Sequence, residues 1–362
     1  MERIVSATEY DYFGRKKLMD KLCDEYYFLK RKVIGRSCAG RDITSFKIGS
    51  AEEYSLITAA FHGSESITAV VLLMFIEKLC EAIKTDGYIG GISARRAMNG
   101  RGIIFVPCVN PDGCEISLRG ETGCGELAPQ IKKLSKGNFK HWNANIRGVD
   151  INHNFSAGWD ELHEKEIKAG IYCPGPTRFG GYRPESEPET LSLTELCRKT
   201  KIRQAVALHS QGEVIYWCYG DSTPPRAKKM AEIMATASGY ALDTPVGIAV
   251  GGGFKDWFIT EFNRPGFTVE LGLGENPLPP YLADDIYKKV EKMLMLSTVM
   301  LAMIFLGQTP ISVCPSVLNL FRKILNYKCA NAVFIGNGSF LLGSFIAYCE
   351  ELFGNLREES VA

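Results

Sequence analysis

His62 and Glu65 stand three residues apart in His62-Gly-Ser-Glu65, between an apolar run, Tyr54-Ser-Leu-Ile-Thr-Ala-Ala60, and a long apolar segment from about Ile67 to Ile83. An imidazole and a carboxylate at that spacing can turn toward one cation. They make two of the three protein ligands of a catalytic zinc site, whose fourth position is left to water. Taken alone the pair also fits a surface turn with two polar residues. The third ligand must come from elsewhere, and the chain has five histidines. His141 and His163 lie in polar, charged sequence and read as solvent-facing. His209 ends a second strand-like run, Gln204-Ala-Val-Ala-Leu208, a placement that matches that of His62. Open α/β proteins place their sites at the ends of sheet strands, so His209 is the expected third ligand. Two imidazoles and a carboxylate suit zinc, one Zn2+ per chain, better than calcium or magnesium, which prefer all-oxygen shells.

Hydrolysis at such a site also needs a base to take a proton from the attacking water. The candidate is Glu270 in Gly266-Phe-Thr-Val-Glu270-Leu-Gly272, a carboxylate among apolar neighbours in a third β-rich run. Unpaired burial there would cost several kcal/mol, which argues against a filler role; the plain alternative is a strand residue facing solvent. Burial and a nearby cation would move its pKa in opposite directions.

These residues need a sheet to hold them. Strand-like and helical runs alternate along the chain, Gly102-Ile-Ile-Phe-Val-Pro-Cys108 being another buried strand. The expectation is an α/β fold with a mixed, largely parallel twisted sheet and helices on both faces. Residues 1–30 read as a short helical lead-in, and Gly35 to Ile43 as a turn between edge strands. Gly113 to Pro188 shows few regular periods and reads as a long functional loop at the rim of the site. A helix is expected from Asp284 to about Leu306.

The order His62-x-x-Glu65, Gly148-Val-Asp-Ile-Asn-His-Asn-Phe155, His209-Ser210, Asp256-Trp257 and Phe267-Thr-Val-Glu270-Leu-Gly272 resembles the zinc carboxypeptidases of the carboxypeptidase A family. Asn110-Pro-Asp-Gly113 and Pro184-Glu-Ser-Glu-Pro-Glu-Thr190 look like further landmarks, and the resemblance covers roughly residues 30 to 305. Within the family the chain looks most like the bacterial branch that cleaves γ-D-glutamyl bonds to diamino acids in cell-wall peptides. That finer likeness rests on Trp142-Asn-Ala-Asn-Ile-Arg-Gly148, His209-Ser210-Gln211-Gly212 and Gly251-Gly-Gly-Phe-Lys-Asp-Trp257.

The resemblance implies that His62, Glu65 and His209 hold zinc, and that Glu270 acts as base and then acid. It implies that Asp150 orients a zinc-binding histidine, and it places Ser210 and Gln211 among the substrate contacts. The family's Asn-Arg pair for a terminal carboxylate falls on Asn152 and His153. A histidine offers one donor where an arginine offers a bidentate fork, so carboxylate capture is expected to be remodelled. The arginine that polarises the scissile carbonyl is replaced by Asn143, an uncharged donor; Arg147 and Arg119 are the nearest alternatives in sequence. A mobile tyrosine common in relatives has no counterpart in Gly247-Ile-Ala-Val-Gly-Gly-Gly253.

Formal net charge is +1, from 42 basic and 41 acidic residues, which gives no field favouring nucleic acid. Twelve scattered cysteines contain no Cys-x-x-Cys, and Met1 to Tyr10 has no apolar core of a signal peptide. Reduced thiols in a cytoplasmic protein are therefore expected. Residues 1–306 form the expected catalytic domain and 307–362 a C-terminal helical appendage of unknown role. Met293 to Leu320 and Cys329 to Cys349 carry no charge, which makes them membrane-span candidates. Prolines break the first and polar residues and glycines the second, so a packed appendage or a mobile tail is the preferred reading.

Three functions compete. They are a zinc peptidase of murein-derived γ-D-glutamyl–diamino acid bonds, a carboxypeptidase releasing C-terminal residues from α-linked peptides, and a non-catalytic peptide binder on the same fold. His153 and the missing tyrosine weigh against the second, and Glu270 against the third.

Overall fold

The structure, a computed structural model, describes residues 3–8 and 10–305. The chain divides into two units, Met1–Thr298 and Val299–Ala362. The expected appendage at 307–362 lies outside the described residues. Strands run as β1 (Lys30–Arg36), β2 (Asp42–Ile48), β3 (Tyr54–Ala59), β4 (Tyr88–Ile89), β5 (Ile92–Ser93), β6 (Gly102–Val106), β7 (Ile202–His209), β8 (Val214–Tyr216), β9 (Ala241–Asp243) and β10 (Gly266–Glu270). The helices are α1 (Tyr12–Glu25), α2 (Ser66–Lys84), α3 (Ala94–Met98), α4 (Pro111–Arg119), α5 (Ala128–Ser135), α6 (Trp159–Lys168), α7 (Pro188–Lys199), α8 (Arg226–Ser238), α9 (Phe254–Phe262) and α10 (Ala283–Phe305).

Eight strands form one sheet in the order β1-β2-β6-β3-β7-β10-β8-β9, and β4 and β5 make a separate hairpin. The central strands β6, β3, β7 and β10 are mutually parallel. Antiparallel pairs occur at β1–β2, β2–β6 and β8–β10, so the sheet is mixed, with a parallel centre as expected. All six residues of β3 are buried, the pattern of a strand covered on both faces. Leu56, Ile104, Val106, Ala205 and Ala207 meet α7 and α9 through Leu193, Cys197, Phe254 and Phe258. Phe105, of opposite parity on its strand, meets Phe75 of α2 with ring centroids 6.1 Å apart. Helices thus cover both faces. On α2, 15 of 19 residues are buried, which makes it a core helix rather than an amphipathic surface one.

The stretch from Gly113 to Pro188 departs from the expected loop. It holds α5, α6 and most of α4, each of eight to ten residues, too short for an apolar stripe to repeat convincingly. The local signals were punctuation: the Asn110 side chain accepts from Gly113 N at 2.8 Å, with Pro111 next in the chain at the helix start. The nine described cysteines are free thiols. No helix among the described residues is long and apolar enough to cross a membrane.

Candidate active site

Parallel pairing brings the candidate residues together. β3 and β7 are neighbours with Ala59 opposite Leu208, so the chain leaves both strands on the same side and delivers His62 and His209 next to one another. β10 pairs with the other side of β7 and sets Glu270 opposite His209. After β3 the chain turns through Ala60 and Phe61 into a 3-10 turn, Gly63–Glu65, that runs directly into α2. The Thr68 hydroxyl accepts from Ala60 N at 2.9 Å and donates to Glu65 O at 2.8 Å, locking the turn. Gly63 has no room for a side chain: an added Cβ would lie 2.3 Å from Gly113 O and 2.4 Å from Trp142 O.

His62 Nδ1 lies 2.8 Å from Glu65 Oε1, and His209 Nδ1 lies 3.1 Å from Glu65 Oε2. The two Nδ1 atoms are 3.4 Å apart. Ligands at the usual zinc distances in a tetrahedron sit about 3.3 Å from one another, so this donor set fits zinc with little movement. His62 Nε2 faces Asp150 Oδ1 at 3.3 Å. Asp150 is itself fixed by Asn152 N at 3.2 Å and Arg178 N at 2.8 Å. His209 is held differently: its Nε2 is buried without a hydrogen-bond partner among the described residues, and the Phe61 ring stacks on it at 5.0 Å and 19°.

The electrostatics follow from the crowding. Burial acts to raise the Glu65 carboxyl, but His62 and His209 outweigh it and hold the group at about 2. Burial acts to lower the His62 imidazole, and Glu65 and Asp150 overcome it and raise the ring well above its ordinary value. Asp150 is likewise held down against burial by His62 and His153. Burial, reinforced by the Glu65 charge and opposed by His62, pushes Glu270 well above the carboxylate range. A divalent cation among these donors would act on each carboxylate in the lowering direction.

The remaining sequence candidates separate. Asn143 accepts from Gly63 N at 3.1 Å through its backbone carbonyl and from Ser64 Oγ through its side-chain oxygen. Its Nδ2 is left as a donor. Asn152 accepts from Phe254 N at 3.1 Å through its side-chain oxygen. Ser210 donates to Asn276 Oδ1 at 2.8 Å, and Asn276 returns a bond to Ser210 O at 2.6 Å, while Gln211 is exposed. Arg147 pairs with Glu187 at 3.6 Å, and Arg119 with Asp11 at 3.0 Å and Glu115 at 3.9 Å. Among the described residues no such contact ties either arginine to the histidine pair.

Of the two histidines expected to face solvent, His141 is exposed and His163 is not. His163 stacks on Trp159 at 4.6 Å and 13° and its Nδ1 lies 3.4 Å from Glu166 Oε2. The charged sequence around it belongs to the outer face of α6, and that composition concealed an inward turn. Glu166 is not among the residues the sequence singles out.

A second group of possible ligands, Cys38, Glu187 and Glu189, is knotted around the Asn145 amide. Asn145 Nδ2 lies 2.8 Å from Glu187 Oε2, 3.2 Å from Glu189 Oε2 and 3.5 Å from Cys38 Sγ. Burial, with the Asp112 charge, pushes Glu189 up to about 7. A carboxyl raised on folding stabilises fully below its unfolded value, and that contribution is lost as pH rises through the folded one. Glu189→Gln, which cannot ionise, should therefore gain on the wild type by several degrees in melting midpoint between pH 4.5 and pH 8. Scanning calorimetry of both proteins at the two pH values checks this; a difference that does not change with pH would refute it.

Two imidazoles and a carboxylate gathered for one cation, with a second carboxylate on the adjoining strand end, define a metal-dependent hydrolase on a mixed α/β sheet. The chain belongs to the zinc carboxypeptidase family, whose profile matches residues 16–295. It is 35% identical over 291 residues to γ-D-glutamyl-L-diamino acid endopeptidase 1 of Lysinibacillus sphaericus, covering 79% of this chain and 72% of that one. It is 26% identical over 267 residues to murein peptide amidase A of Escherichia coli strain K12, covering 70% and 84%. Among solved structures, thrombin-activatable fibrinolysis inhibitor shares the fold with a TM-score of 0.65 at 17% identity, over 83% of this chain and 77% of that one. The protein is thus a zinc-dependent hydrolase of the peptidase class.

Proposed function

We propose that this protein hydrolyses a γ-D-glutamyl–diamino acid bond in murein-derived peptides. The observation that carries the reading is the 35% identity, over 79% of the chain, to a relative named for that bond. His153 in place of the arginine expected for a free C-terminal carboxylate supports it. In this reading His62, Glu65 and His209 hold the zinc, and Asp150 fixes the ring of His62 through Nε2. Zinc, when bound, supplies the positive charge that acidifies a water and stabilises a developing oxyanion.

Glu270 takes one proton from water as its oxygen attacks the carbonyl carbon. It then delivers that proton to the departing amine nitrogen as the C–N bond breaks. Asn143, oriented by Ser64, donates from Nδ2 to the carbonyl oxygen. Asn152 and His153 anchor the diamino acid side of the substrate, with Ser210, Gln211 and Arg147 as further candidate substrate contacts.

The test is incubation of zinc-loaded protein with a murein tripeptide and with a blocked α-linked dipeptide, each with and without chelator, read by mass spectrometry. Release of the diamino acid from the tripeptide, at least about a hundredfold faster than any cut in the dipeptide and abolished by chelator, is expected. Release from the dipeptide alone would make the protein a conventional carboxypeptidase. No cleavage of either would leave a binding protein.

A further inference from the structure

Glu166 is fully buried, and a buried carboxyl group must find partners. It sits on α6, outside every motif that marks the zinc site. Its Oε1 lies 2.7 Å from His153 Nδ1. Its Oε2 accepts from Gly180 N at 3.2 Å and lies 3.4 Å from His163 Nδ1. The Trp159 indole, stacked on His163, donates to Gly180 O at 3.1 Å, so the loop through Gly180 is pinned from both sides. Gly180 admits no side chain: an added Cβ would stand 2.5 Å from His153 O and 3.2 Å from Glu166 Oε1. His153 has Nδ1 committed to Glu166, while its Nε2 makes no hydrogen bond among the described residues, and the residue is partly exposed.

We propose that Glu166 is a positioning residue for substrate, holding the His153 ring and keeping a proton on Nδ1 so that Nε2 can take a carboxylate of the diamino acid residue. The proposal rests on the substrate reading above. An arginine brings its own fixed charge and fork to a carboxylate. With Nδ1–H held by Glu166, the ring can donate from Nε2 to an anion only when both nitrogens carry protons, and the carboxylate against Nδ1 supplies the countercharge that this form needs inside a fold. Glu166 and His153 together thus replace one arginine. Asp150, three residues before His153, faces His62 at the other ring nitrogen, Nε2, so each of the two histidines is backed by a buried carboxyl group.

A purely structural role is the rival, since Glu166 also ties α6 to the Gly180 loop. The test uses Glu166→Gln, which keeps volume and an acceptor but removes the charge. Steady-state kinetics are measured on the murein tripeptide with its diamino acid carboxylates free and with them amidated. KM for the free form should rise by about 10- to 100-fold, the value of a charge-assisted hydrogen bond, with kcat within about threefold. KM for the amidated form should be the same in both proteins. Nitrogen-15 spectra of the His153 ring should differ between the two proteins at Nδ1, which faces a carboxylate oxygen in one and a neutral amide oxygen in the other. KM rising equally for both peptides, or kcat falling while KM holds, would overturn the proposal in favour of a structural pin.

If the wild type cleaves no murein peptide, the substrate reading fails separately. The pair is then judged by calorimetric binding of the free diamino acid, and equal Kd for wild type and Glu166→Gln, or no binding, overturns it. Should Glu166→Gln not fold, Glu166→Asp, which keeps the charge but draws it back from Nδ1, carries the same kinetic comparison.

Discussion

The Glu270→Gln protein should retain its zinc and lose turnover by about a thousandfold or more. Glu270 ends β10 directly opposite His209 on the parallel neighbour β7, and register alone therefore places its carboxylate beside the metal donors. The substitution keeps shape and leaves His62, Glu65 and His209 untouched, so zinc content should stay at one per chain. General acid–base groups contribute about 10²–10⁴-fold, and a residue that both removes and delivers a proton belongs near the upper end. The base must be ionised to act, while burial and the Glu65 charge favour its protonated form. The wild type should accordingly lose kcat/KM on the acid side, and the residual activity of Glu270→Gln should lack that limb. Metal analysis and a pH–rate profile of the two proteins check both parts. A loss below about tenfold would remove Glu270 from the mechanism.

How much of this was legible from sequence follows from what each residue needs. Strands β3, β7 and β10 are apolar runs covered on both faces, and such runs declare themselves in composition. His62, His209 and Glu270 come at or just beyond their ends, so finding the strands nearly found the candidate site. Asp150 was reachable only through the Gly148-Val-Asp motif. The His153–Glu166–His163 cluster was not reachable. Glu166 is one charged residue among many in Asp160-Glu-Leu-His-Glu-Lys-Glu166, and nothing in that string says which carboxylate turns inward. The answer depends on where α6 packs, with Leu162 against the backbone near Gly252, where an added Cβ would meet it at 2.4 Å. Arg147 and Arg119 illustrate the converse. Both were near enough in sequence to be considered for the scissile carbonyl, and both are held by ion pairs with Glu187, Asp11 and Glu115.

Removing either histidine of the metal group should strip the zinc. His62→Ala deletes one of three protein donors and also leaves Asp150 without its ring partner, although Asp150 keeps its bonds from Asn152 N and Arg178 N. His209→Ala deletes the donor held by the Phe61 stack and opens a hole against that ring. In both variants Glu65 keeps one histidine beside it, a pair too few for the tetrahedral site that a retained zinc requires. After dialysis against a mild chelator, metal content should fall from one per chain to below about a tenth, with activity lost in proportion. Asp150→Ala makes a graded control, because groups that orient a ligand are worth about 10- to 100-fold in metal affinity rather than the whole site. The order of zinc affinities should therefore be wild type, then Asp150→Ala, then the two histidine variants. Competition with a chromophoric chelator measures all four proteins on one scale. Stoichiometric zinc in both histidine variants would refute the assignment. An Asp150→Ala protein as weak as His62→Ala would instead show that Asp150 is itself a ligand.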